Sequence, residues 1–204
     1  MKKLLLLSAV LIFGLSSCST PPASSPTEDV GVVINGIRWA TRNVDAPGTF
    51  AARPEDPGML FQWNRRVGWS SADPLIGSDG STTWSGSRAG GTEWIRDNDP
   101  CPPGWRVPTI EELTALHNAG SEWVTQNDVR GRLFGTAPNR IFLPAVGARN
   151  HNGALNLTGA IGYYWSSSES AAGFAWFLRN VNIFSGVADY SRARGLSVRC
   201  VAID

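Results

Sequence analysis

The chain reads as an α+β domain of short antiparallel strands around one main capped helix. Three features predict it: an Asn-Gly hairpin near the start, a capping box with a helical apolar stripe, and many strand-like runs after that helix. Val30 to Ala40 holds a β-branched run, then Asn35-Gly36, then a second apolar run. Asn and Gly tolerate the positive φ of a two-residue turn, so this segment predicts an N-terminal hairpin. From Asp45 to Asp99 the chain alternates Gly, Pro, Ser and Asp with Trp63, Trp69, Trp84 and Trp94, and only Gly58 to Trp63 looks like a strand. Order in so irregular a stretch rests on tryptophans pinned into a core. Thr109-Ile110-Glu111-Glu112 fits a capping box, with Ile110, Leu113 and Leu116 at helical spacing and Gly120 past the end. Strand-like runs follow at Val129 to Phe134, Arg140 to Val146, Gly162 to Ser168, Phe174 to Asn180, Val181 to Val187 and Leu196 to Ile203. In the fourth of these, Phe174, Trp176 and Leu178 form the wholly apolar parity and are expected inward, which leaves Phe177 and Arg179 outward.

With 204 residues, 42% hydrophobic and 17% charged, the chain can bury one real core. Its formal charge is 18 − 17 = +1, and Lys2 and Lys3 supply two of those cations at the very N-terminus. The balance gives no electrostatic footprint for nucleic acid. Nine tryptophans, 22 glycines and 13 prolines point to a loop-rich globule held by aromatic anchors.

The first segment reads as an address. Met1-Lys2-Lys3 precedes the apolar run Leu4 to Leu15, the proportions of a secretory signal and short of the roughly 20 residues a spanning helix needs. Leu15-Ser16-Ser17-Cys18 resembles the lipobox of bacterial lipoproteins. By that resemblance residues 1–17 are a leader and Cys18 carries acyl chains, which anchor the protein to a membrane without a transmembrane helix. The implied location is the outer membrane of a Gram-negative, Bacteroidetes-like bacterium. Residues 18–29, rich in Ser, Pro and Thr, are expected to be a flexible tether, with the domain spanning 30–204. Export also places Cys101 and Cys200 in an oxidising compartment, where a disulfide is the simple expectation; metal ligation or a catalytic thiol would need partners that the neighbouring sequence lacks.

Five stretches carry a further resemblance: Val33-Ile34-Asn35-Gly36-Ile37-Arg38-Trp39-Ala40-Thr41-Arg42-Asn43-Val44, Cys101-Pro102-Pro103-Gly104-Trp105-Arg106-Val107-Pro108-Thr109, Phe142-Leu143-Pro144-Ala145-Val146-Gly147, Tyr164-Trp165-Ser166-Ser167-Ser168 and Gly195-Leu196-Ser197-Val198-Arg199-Cys200-Val201. Together they resemble the Fibrobacter succinogenes major paralogous domain, from about Val30 to Asp204. That resemblance implies a C-type lectin-like fold with close termini, a cysteine staple at its base and a long loop excursion presenting a binding face. The Glu-Pro-Asn, Gln-Pro-Asp and Trp-Asn-Asp triplets of calcium-dependent sugar binding are absent from the sequence, so no metal and no cofactor is expected.

Function is expected to be recognition rather than catalysis. The chain has two histidines, His117 and His151, neither within a catalytic motif, and Ser166-Ser167-Ser168 lacks a nucleophile elbow. A monomeric, adhesin-like module binding a glycan or protein ligand fits best. The candidate contacts are Trp69, Trp84 and Trp94 in the long loop, and Phe177, Arg179, Asn182, Phe184, Asp189 and Tyr190. Domains resembling this one are targets of diversity-generating retroelements, and as a diversified surface those six residues are expected on one exposed face. A fimbrial or envelope structural subunit is the remaining alternative.

Overall fold

The computed structural model describes residue 25 and residues 27–203; the expected leader, Cys18 and most of the expected tether lie outside them. The protein is α+β, mostly antiparallel strand, with one α-helix among the described residues. Its elements are β1 (Val32–Ile34), β2 (Ile37–Trp39), β3 (Leu60–Gln62), β4 (Gly68–Trp69), β5 (Trp105–Arg106), α1 (Ile110–Asn118), β6 (Ser121–Gln126), β7 (Val129–Thr136), β8 (Asn139–Pro144), β9 (Ala148–Arg149), β10 (Leu155–Asn156), β11 (Gly162–Ala171), β12 (Phe174–Asn180), β13 (Ser185–Ser191), β14 (Gly195–Leu196) and β15 (Val201–Ala202). They form four sheets, ordered β1-β2-β15-β5, β10-β9-β14-β3-β4, β11-β12-β13 and β6-β7-β8.

The hairpin forms as its turn chemistry predicts. Asn35 and Gly36 take φ of 50° and 81°, and Val32 pairs with Trp39 and Ile34 with Ile37. Strand β15 pairs with both β2 and β5, so the first and last strands of the domain share one sheet. Beside that sheet Cys101 and Cys200 are joined by a disulfide across a separation of 99 positions. Contacts to the fold are already made at Asp29. The carboxylate of Asp29 accepts the backbone N–H of Gly31 and of Thr41, the Thr41 hydroxyl and the Arg42 guanidinium.

The helix carries its full capping box. The Thr109 hydroxyl accepts from the Glu112 backbone and the Glu112 carboxylate accepts from the Thr109 backbone. Arg106 donates two N–H groups to the same carboxylate at 2.8 and 2.7 Å. Burial raises the Glu112 pKa, yet those bonds outweigh it and hold the carboxyl below its usual range. Leu113 and Leu116 turn inward.

Two aromatic-rich cores lie on opposite faces of the β11-β12-β13 ribbon. Trp165 and Phe177 join one, with Trp63, Trp105 and the disulfide; Tyr164 and Leu178 join the other, with Trp39, Leu113 and Phe134. This overturns the outward placement of Phe177, which is 3% exposed. The parity argument assumed one wet face, and this ribbon is covered on both. A second departure is local: Val181 to Phe184, expected as strand, is the turn between β12 and β13, closed by Val181 N–H to Phe184 O. Strand β6 falls where no strand was expected, and the run Leu196 to Ile203 is split between β14 and β15.

What holds the irregular segments is a set of buried arginines. Arg42, Arg132, Arg149, Arg192 and Arg199 are each less than 8% exposed. Arg42 donates to the carbonyls of Ser25, Glu28 and Ala51, and Arg149 to those of Ser70, Ala72 and Gly153. Arg132 donates to Val181 and Asn182, and Arg192 to Phe174, Ala89 and Gly91. Arg199 donates to Ala40 and Phe142 and to the Asn43 side chain, and burial pulls its pKa down to about 10. Loops lack ladder partners, and a guanidinium fork supplies them.

Three outcomes test this construction. Replacing both Cys101 and Cys200 by Ser is expected to cost about 4 kcal/mol by the chain-entropy model, read by denaturant unfolding. Arg192→Lys keeps the charge but loses the fork; it should cost about 2 kcal/mol and speed amide exchange around Ala89 to Gly91. Burial pushes the Tyr164 hydroxyl, bonded to Pro144 O at 2.8 Å, up to about 12. A raised pKa on a buried neutral acid gives stability that is fully present below its unfolded value near 10 and is lost as pH rises through 12. Absorbance titration at 295 nm should therefore show one tyrosine ionising only as the fold opens.

Candidate functional site

The excursion between β2 and β5 folds back onto the β10-β9-β14-β3-β4 sheet and makes the most irregular face of the molecule. Indole N–H groups pin it to backbone carbonyls: Trp63 to Ser166, Trp94 to Asn98, Trp84 to His151, with Trp165 of β11 reaching Phe61. Asn64, at φ 54°, is the local organiser. Its side chain donates to Gly90 O and accepts from Ile95 N–H, tying two turns of the loop together.

Around these anchors opens a cleft of about 650 Å³. Its walls include Arg65, Arg66, Asp79, Ser81, Thr83 and Ser85, and Trp69 contributes an edge. The Ser81 hydroxyl and backbone N–H both donate to Asp79 and hold its carboxyl below the usual range. Arg66 donates to Asp99 O and Arg65 to the Ser87 hydroxyl, so both guanidiniums keep further N–H groups directed elsewhere. The cleft is thus polar and mixed in charge, the lining suited to a hydroxylated ligand. A second, smaller pocket of about 340 Å³ lies beyond the segment Ser85 to Gly90, lined by Gly86, Arg88, His151, Ser191, Ala193 and Arg194.

The anticipated contact residues are distributed otherwise than expected. Trp69 and Trp94 are 5% and 7% exposed, so they are framework rather than free stacking platforms. Trp84 is half-buried, its ring 5.2 Å from that of Trp69. The six residues of the β12–β13 hairpin do not share one exposed face. Phe177 is in the core; Tyr190 lies half-buried against it at 5.3 Å and against Tyr163 at 5.9 Å. Arg179 packs over the Phe184 ring at 4.6 Å. Asn182 is exposed in the turn, whereas Asp189 pairs with Trp176 on the opposite face and accepts from the Ser170 hydroxyl.

Sequence reasoning missed Arg88 and Arg194 as site residues and considered His151 only as a catalytic candidate. They come from three distant segments, and no local pattern marks them. Asp97-Asn98-Asp99, oxygen-rich in sequence, is structural in part: Asp99 accepts the backbone N–H groups of Cys101 and Val107, while its burial raises its pKa. Among the described residues no group of three or more His, Cys, Asp or Glu converges as a metal site. Comparison of the chain with protein-family models, with characterised proteins and with solved structures returns no match.

Proposed function

We propose that this chain is a lipid-anchored recognition module of a bacterial cell envelope, with a C-type lectin-like domain that binds a glycan in the cleft walled by Arg65, Asp79 and Ser85. The lining of that cleft carries the reading. Three hydroxyls, two guanidiniums and a carboxylate around an aromatic edge provide donors and acceptors for a ligand that is itself mostly hydroxyl. The shared sheet of first and last strands, the disulfide beside it and the long excursion above it support the lectin-like assignment. The envelope assignment rests on the leader and on Leu15-Ser16-Ser17-Cys18; no helix among the described residues is long and apolar enough to cross a membrane.

The test is a glycan array probed with the full chain purified in detergent. Binding of at least one glycan class is expected, weakened about tenfold, or about 1.4 kcal/mol, by Arg65→Ala or Asp79→Asn with the melting temperature held. Capture of proteins but of no glycan, or wild-type binding by both variants, overturns the reading.

A further inference from the structure

The small pocket beside the cleft has a different chemistry. Arg88, Arg194, His151 and Ser191 line it, and no Asp or Glu does. Arg194 lies 3.8 Å over the Tyr190 ring and gives one hydrogen bond, at 2.7 Å, to the neutral amide oxygen of Asn150. Arg88 lies 5.1 Å over the Phe174 ring. Among the described residues neither has a carboxylate within 4.0 Å, unlike Arg53, Arg106 and Arg140. A guanidinium carries five N–H donors, and the hydrogen bonds of this pair among the described residues use one of them.

The two arginines are also held in place before any ligand arrives. Phe174 pairs with Ser191 across β12 and β13, so the ring under Arg88 and the hydroxyl in the pocket belong to one rung of the ribbon. Tyr190, under Arg194, is stacked on the core residue Phe177. Between them the buried Arg192 grips Ala89 O and Gly91 O and so fixes the loop that carries Arg88. The His151 turn is fixed from below, because Arg149 donates to Gly153 O and Trp84 donates to His151 O. Paired cations on rigid supports, with no internal counter-charge, form a site for an oxyanion.

We infer that this pocket is an anion subsite and that the ligand of the module is an acidic glycan, its uronate carboxylate or sulfate ester held between Arg88 and Arg194. The inference rests on the glycan reading of the neighbouring cleft. The two share a wall: Ser85, Ala89 and Gly90 face the larger cleft, and Gly86 and Arg88 face the pocket. Sugar hydroxyls in the first and the acid in the second require one continuous chain of residues, as in an oligosaccharide.

The test is titration calorimetry of the full chain with three probes of equal length: an oligogalacturonate, a sulfated galactan oligosaccharide and a neutral galactan oligosaccharide. At least one acidic probe is expected to bind about tenfold tighter than the neutral one, with the preference shrinking as salt rises from about 0.05 to 0.5 M. Which acidic probe wins identifies the group held. Arg88→Gln and Arg194→Gln should each remove the preference and leave neutral binding in place, whereas Arg140→Gln, which changes charge elsewhere, should keep it. Arg194→Lys should retain part of it. Equal affinity for acidic and neutral probes, or a preference that survives both glutamine variants, overturns the anion subsite while the glycan reading stands. Absence of binding to every saccharide overturns both.

Discussion

The fold depends on buried guanidiniums standing in for secondary structure. Much of the long excursion before α1 belongs to no ladder, so its carbonyls need other donors wherever water is excluded. Arg42, Arg149 and Arg192 reach from regular or near-regular segments into loops and satisfy two or three carbonyls each. Arg199 performs the same service at the base, joining the segment after β2 to β8. Lysine could not replace them, since one ammonium cannot present a planar fork to carbonyls on different turns. Taking a charge out of water costs several kcal/mol; carbonyl bonds offset it together with the carboxylates of Asp29, Asp73 and Glu169, which pair with Arg42, Arg149 and Arg192.

The two cores explain why so little regular structure suffices. The β11-β12-β13 ribbon has apolar residues on both faces, Trp165 and Phe177 toward one cluster and Tyr164 and Leu178 toward the other. Each side chain of that size contributes about 1.5–3 kcal/mol when fully buried, so a three-stranded ribbon covered twice does the work of a larger sheet covered once. The disulfide and the β2–β15 pairing close the same base.

Features governed by local chemistry were legible in the sequence. The turn at Asn35-Gly36 and the Thr109–Glu112 box depend on residues within a few positions, and both form as expected. What depended on a partner far along the chain was not legible. Phe177 was placed outward because Arg179 shares its parity, yet Arg179 escapes along the Phe184 ring at the ribbon's end while Phe177 meets the core. The turn at Val181 to Phe184 carries no Gly or Pro; carbonyl bonds from Arg132 on β7 hold it, and nothing within the turn announces them. Trp69 and Trp94 read equally as pins of the loop and as contact rings, and their burial makes them pins.

The same dependence on distant acceptors separates the arginines that build the fold from those that furnish the pocket. Arg192 and Arg194 lie two positions apart in sequence and each lies over an aromatic ring; the first is 1% exposed, bonded to three carbonyls and ion-paired with Glu169, and the second has a single neutral acceptor. Residue type and spacing are silent on this difference, because it is set by what faces each guanidinium. Since the braces reach main-chain carbonyls and the side chains of Asp29, Asn43, Asp73 and Glu169, none of which lines the cleft, residues at its rim can differ without loosening the loop beneath them. A face fixed in that way combines an irregular outline with a rigid support, and rigid support is what lets weak polar contacts add up to recognition.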